Sequence, residues 1–158
     1  MHCRNLFGLI ALAAMPLGRA AAQTDDSKVS FINQKEVSRA FAMGRPLIEV
    51  GDYKIHASRR EGPGIAEIHF RDTDIIYVLQ SSAALVTGGT TLDAKPIGPE
   101  ELRGSAITGG QTRQVQAGDI VVIPNGVAHW FKEVKPPFLY YVVKVRQPRR
   151  QAGLGAMR

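Results

Sequence analysis

Cysteine is nearly absent from this chain. Of its 158 residues only Cys3 carries a thiol, and it lies ahead of an N-terminal apolar run, where a lipoprotein attachment site is not expected. The rest of the chain offers neither disulfides nor thiolate ligands, so any metal ion it binds must be held by nitrogen and oxygen. After the N-terminal run, no apolar stretch is long enough to cross a bilayer. Basic residues are nowhere interleaved with aromatics, which argues against a nucleic-acid partner. A Ser–His–acid order, a glycine-rich phosphate loop and paired catalytic cysteines are also missing. Triad hydrolysis, nucleotide binding and thiol catalysis are therefore left without support.

What is present begins with a leader-like segment at residues 1–22. Arg4 supplies a positive start, Leu6 to Leu17 an apolar run, and Ala20-Ala21-Ala22 a small-residue cleavage site before Gln23. This pattern predicts a secretory signal peptide and hence a periplasmic or secreted protein with no membrane contact after cleavage; an uncleaved anchor is the alternative. The net charge is +6, and loss of Arg4 and Arg19, with no acid beside them, leaves +4. Much of that excess sits in residues 146–158, where Arg146, Arg149, Arg150 and Arg158 alternate with Pro148, Gly153 and Gly155. Such a tail is expected to be solvated and flexible.

Residues 23–46 contain one helical pattern. Asn33 can cap it, Glu36 stands three residues later, Val37, Ala40 and Phe41 share a face, and Gly44 and Pro46 end it. From residue 47 to 145 the period changes to two. Strands are expected at 47–50, 53–59, 65–70, 75–79, 83–87, 111–116, 120–123, 129–133 and 139–145, with Gly- and Pro-rich turns between them. Many short strands at this spacing predict a single all-β domain, an antiparallel barrel that closes off its edges. Residues 90–110 lack a pattern and are expected to form a long loop over the barrel mouth.

One segment stands out: Gly118-Asp119, then the aliphatic strand Ile120–Ile123, then Pro124-Asn125-Gly126, then His129. A glycine turn, a short strand and a tight turn deliver His129 into the interior. Upstream, Glu67 and His69 are two apart and so share one strand face, while Ala66, Ile68 and Phe70 take the other. Asp74 opens the next strand, within reach of both. Two imidazoles and up to two carboxylates form a sulfur-free set suited to a divalent ion such as Fe, Mn, Zn, Ni or Co. Glu67 has three readings: a ligand, a general base, or an acid that orients a ligand. His56 has no supporting pattern and reads as structural or exposed.

These residues resemble the two motifs of the cupins, a family of small β-barrels. The second motif, Gly-x5-Pro-x-Gly-x2-His-x3-Asn, is matched by Gly118, Pro124, Gly126 and His129, with Glu133 in place of the asparagine. In the first, Glu67 replaces the first histidine, His69 matches the second, Asp74 replaces the glutamate, and Ser81 stands where glycine is usual. The resemblance spans residues 47–145 and implies a single-domain jelly-roll-like barrel. It also implies a metal site of Glu67, His69, Asp74 and His129 in place of the usual three histidines and a glutamate, and a possible homodimer by analogy. Parity with His129 places Phe131 and Glu133 in the pocket. On the last strand either Leu139/Tyr141/Val143 or Tyr140/Val142/Lys144 faces it, and Tyr141 is the residue of this strand expected to contact substrate. Trp130 is expected to pack outside, under the helix. Arg59, Arg60 and Lys144 either neutralise an anionic substrate or are solvated charges.

The resemblance implies a metal-dependent enzyme acting on a small organic molecule, of dioxygenase, isomerase, lyase or decarboxylase type. Two other readings stand beside it: a non-catalytic barrel that captures a small molecule or metal, and a purely structural barrel. Fold does not choose among them.

Overall fold

The computed structural model describes residues 28–148, so the leader at residues 1–22 and tail residues 149–158 lie outside it. Among the described residues, no helix is long and apolar enough to cross a membrane.

Helix α1 (Gln34–Met43) forms as its end signals predict. Asn33 accepts from the Glu36 backbone N–H while the Glu36 carboxylate reaches back to Asn33, and Gly44 closes the helix at φ +61°. Thirteen short strands follow: β1 (Pro46–Glu49), β2 (Tyr53–Arg60), β3 (Ala66–His69), β4 (Asp72–Gln80), β5 (Ser82–Thr87), β6 (Thr90–Leu92), β7 (Lys95–Gly98), β8 (Glu101–Gly104), β9 (Ala106–Thr108), β10 (Gln111–Gln116), β11 (Ile120–Ile123), β12 (His129–Val134) and β13 (Phe138–Arg146). The nine expected strands are all present. Residues 90–110, expected as a loop, instead supply β6 to β9. Their three- and four-residue lengths are too short to show alternation; pairing is what makes them strands, β6 with β9, β7 with β8, and β8 also with the distant β3.

Two sheets face each other, in the orders β1-β2-β13-β4-β11 and β10-β5-β12-β3-β8-β7, with β6 and β9 forming a separate ribbon. All pairings are antiparallel. The architecture is a jelly-roll sandwich, and the sheets do not close into one continuous barrel. Between them lies an apolar core of Ile76, Val78, Leu85, Val115, Ile123, Phe131, Phe138, Tyr140 and Val142. Alternation places a second cluster, Ala66, Val86, Ile107 and Ala128, on the opposite face of the six-stranded sheet, with Ile68 and Trp130 against it. Trp130 therefore packs against this outer cluster, as expected, but it also lines a cavity at one end of the sandwich. The helix is not above it: α1 rests on the other sheet, where Phe41 meets the Tyr141 ring edge-on at 4.9 Å.

Candidate metal centre

The cavity lies at one end of the sandwich, where the core gives way to polar side chains. It has a volume of about 280 Å³. Strand alternation aims Glu67 and His69 of β3 into it, because Ala66 and Ile68 occupy the outer cluster. The turn after β11 then brings the second histidine in. Gly126, at φ +82°, donates its N–H to the His69 carbonyl at 2.7 Å, and the Asn125 amide donates to the Phe70 carbonyl at 3.0 Å. The chain enters β12 with His129 directly opposite Glu67 in the antiparallel register. A turn docked on the end of β3 thus joins residues sixty positions apart.

One ligand atom from each of Glu67, His69 and His129 lies within 4.8 Å of the other two. The imidazole centroids of His69 and His129 are 5.0 Å apart. His69, Asp74 and His129 are the buried polar residues of the described chain. His129 is oriented by its own backbone: Nδ1 is 3.1 Å from the Val127 carbonyl, so Nδ1–H donates there and the Nε2 lone pair faces the cavity. Burial holds the His129 imidazole below its usual pKa, outweighing the opposing pull of Val127 and Asp74, so the ring is neutral and available as a donor.

Asp74 lies beside both rings, with Oδ2 3.3 Å from His69 Nδ1 and 3.7 Å from His129 Nε2. Its oxygens are already engaged, at 3.0 and 2.8 Å, by the Lys144 ammonium. The same ammonium is 3.1 and 3.3 Å from the two His69 ring nitrogens. Burial alone raises the Asp74 pKa, but the His69 hydrogen bond and the Lys144 charge outweigh it and hold the carboxyl below its usual range. Two nitrogens and a carboxylate oxygen, Glu67, His69 and His129, fit a divalent ion of hard to borderline character. Asp74 stands behind this set as the partner of His69.

The remaining expected residues separate sharply. Phe131 lines the cavity. Glu133 does not, because β12 carries a bulge: Phe131 pairs with Leu85 and Glu133 with the very next residue, Ala84. The extra residue reverses the parity, and the Glu133 side chain is 71% exposed. Tyr141 also faces away, against α1, so it is the Tyr140/Val142/Lys144 set that lines the cavity. Arg59 turns outward to Glu61, at 2.5 Å, whereas Arg60 lies inside. His56, read as structural or exposed, lines the cavity with Nε2 3.3 Å from Glu49.

Glu101 and Arg103 enter from β8, part of the stretch expected to be a loop. Paired with β3, β8 sets Glu101 opposite His69 and Arg103 opposite Glu67. Arg103 Nε is 2.8 Å from Glu101 and 3.3 Å from Glu67. The two-residue spacing of an acid and a base was the only local signal for them.

The sequence profile of the cupin family matches residues 59–157. The chain belongs to the cupin family. No curated protein sequence matches it. Among solved structures, this cupin is similar to a Bacillus halodurans protein at 15% identity and a TM-score of 0.54, over 78% of this chain and 86% of that one. It is also similar to hydroquinone 1,2-dioxygenase from Sphingomonas sp. TTNP3, solved with 4-hydroxybenzoate bound, at 16% identity and a TM-score of 0.52, over 76% and 82% of the two chains. At such identities the likeness is one of fold.

Proposed function

We propose that this cupin is an exported, metal-dependent enzyme acting on a small organic molecule, with Glu67, His69 and His129 as the metal-holding residues. One observation carries this reading: three donors from β3 and β12 converge within 4.8 Å at the floor of a cavity large enough for a small substrate. A bound divalent ion supplies Lewis-acid polarisation of a substrate oxygen. The chain's own residues set the frame. Val127 fixes the His129 tautomer, Asp74 orients His69, and Phe131 and Tyr140 form an apolar wall beside the reacting end. Glu67 either completes the ligand set or, when not ligated, accepts a proton from substrate. Fold relatives include a dioxygenase, and dioxygenase, isomerase and lyase chemistries all suit such a site.

The leader pattern at residues 1–22 supports export. Pairing of two copies is also proposed, on the five-stranded sheet. Ile75, Tyr77 and Leu79 of β4 are exposed there beside Ile120 and Val122 of the edge strand β11, which are 67% and 57% exposed.

A second reading rests on Lys144. Its ammonium already neutralises Asp74 at 2.8 Å, so this buried carboxylate needs no metal ion as its counter-charge, and the same cavity can hold a small ligand as a metal-free binding module. Elemental analysis of the purified protein separates the two. Near-stoichiometric Fe, Mn, Zn or Ni that disappears in His129→Ala supports the enzyme, and an oxygen-uptake assay then tests for dioxygenase activity. Metal-free protein whose melting temperature rises with a small ligand supports the binding module.

A further inference from the structure

The cavity contains a positive charge that the proposed metal residues leave uncompensated. Alternate residues of β2, Lys54, His56, Ser58 and Arg60, all face inward. Of the other three cations of the cavity, Arg103 is matched by Glu101 and Glu67 and Lys144 by Asp74, while Lys54, which forms no ion pair among the described residues, is a flexible point charge. Arg60 is held differently. Its Nε donates to the Tyr140 hydroxyl at 3.0 Å, and its guanidinium carbon lies 5.1 Å from the Phe131 ring centroid and 6.0 Å from that of Tyr140. Among the described residues no carboxylate forms an ion pair with it.

The guanidinium is also fixed from its other side. A Cβ at Gly64 would stand 2.7 Å from Nη1 and 3.1 Å from Cζ of Arg60, so the guanidinium packs against bare glycine backbone. That backbone is pinned in turn: Gly64 N–H donates to the Phe131 carbonyl at 2.8 Å, and the Trp130 indole N–H donates to the Gly64 carbonyl at 2.8 Å. Two aromatic rings and a clamped glycine therefore hold one planar cation. Only the Nε–H of Arg60 is spent inside the protein, leaving the Nη donors for a ligand. A guanidinium held this way loses little freedom on binding and presents parallel donors matched to a planar carboxylate.

We infer that Arg60 is the specificity-determining residue of the cavity and binds the carboxylate of a small organic acid. The inference rests on the proposed reading of the cavity as a small-molecule site, and it names the substrate class. The acid's carboxylate pairs with Arg60, and the rest of the molecule extends past Phe131 toward Glu67, His69 and His129.

Trp130 is the single tryptophan of the chain and lies at the cavity, so its fluorescence reports binding there. The full-length protein is titrated with acetate, pyruvate, benzoate and 4-hydroxybenzoate, with the matching amides, and with inorganic phosphate. At least one carboxylate is expected to bind saturably, with its amide at least about tenfold weaker. Arg60→Gln is expected to raise the carboxylate Kd by at least about tenfold. Arg59→Gln removes the same charge on the outer face and leaves the Kd unchanged. Gly64→Ala keeps the charge of Arg60 but displaces its guanidinium, so it also weakens binding and provides a second variant should Arg60→Gln fail to fold. The assignment is overturned if no carboxylate saturates the signal, if phosphate binds in preference, or if Arg60→Gln and Gly64→Ala bind like the parent protein. Metal content of the same samples keeps the two proposals apart. Arg60-dependent carboxylate binding by metal-free protein sinks the metal reading alone, and a metal-loaded protein indifferent to Arg60 sinks this one alone.

Discussion

Lys144 and the buried Asp74 form an ion pair in the wall of the cavity, with Nζ 2.8 and 3.0 Å from the two carboxylate oxygens. The pair joins adjacent strands, since β13 and β4 run antiparallel with Lys144 directly opposite Asp74. Because His69 contacts both partners, this pair sets the electrostatics of the proposed metal residues.

Removing one partner strands the other in a water-poor site. Lys144→Met is expected to destabilise the fold by roughly 3 kcal/mol, read from urea unfolding, because an uncompensated carboxylate remains buried. The double variant Lys144→Met with Asp74→Asn is expected to recover much of that loss. A double variant whose loss equals the sum of the Lys144→Met and Asp74→Asn losses would show that the pair carries no coupling.

Metal retention is expected to depend on Glu67, His69 and His129 without the fold doing so. His69→Ala and His129→Ala should lose bound metal by elemental analysis yet still unfold cooperatively, since both side chains line a cavity instead of filling the core. Asp74→Asn acts through the orientation of His69 and is expected to weaken metal binding by about 10–100-fold. If all of these variants lose the fold together, the residues are core elements and the metal proposal fails.

Acid is expected to destabilise the chelator-treated protein in two stages. The pKa of His129 is lowered in the folded state, so the unfolded chain takes up a proton from about pH 6.5 downward while the folded one resists. Stability therefore falls from that pH until the lower folded pKa is passed. The pKa of Asp74 is also lowered on folding; its contribution is complete above the unfolded carboxylate value and is lost as pH falls through the folded one. Urea midpoints measured across this range should decline in that order, and the first decline should vanish in His129→Gln. A flat profile would contradict both assignments.

Gly126 should be sensitive for a backbone reason alone. It sits at φ +82°, and a Cβ there would meet nothing within 4 Å. Gly126→Ala is thus expected to cost about 1–2 kcal/mol through the left-handed backbone, with no clash to add to it. An unchanged unfolding midpoint would show that the turn relaxes.

Pairing through the five-stranded sheet predicts that Val122→Lys converts a dimer to monomer in analytical ultracentrifugation with no change in melting behaviour of the monomer. A parent protein that sediments as a monomer removes this proposal.

Local patterns were sufficient for much of the architecture. Capping residues marked α1, period-two alternation marked nine strands, and the Gly118-to-His129 spacing marked the turn that delivers an imidazole inward. Glu67 and His69 shared a face because alternation is a property of any extended strand. Alternation failed at Glu133, where one extra residue in β12 reversed the facing of everything after it, and bulges have no sequence period. It could not choose between the two faces of β13 either, because Tyr140, Tyr141, Val142 and Val143 are apolar or amphipathic on both sides.

The chain by itself determined an all-β fold, sulfur-free donors and the positions of two histidines, since backbone geometry, composition and turn chemistry are local quantities. Only the tertiary structure decided which charges those histidines meet. Lys144, Glu101, Arg103 and Arg60 reach the cavity through strand pairings spanning dozens of residues, and pairing depends on the packing of whole sheets. Asp74 was visible as a carboxylate near His69, but its commitment to an ammonium 70 positions away arises only where β4 lies beside β13.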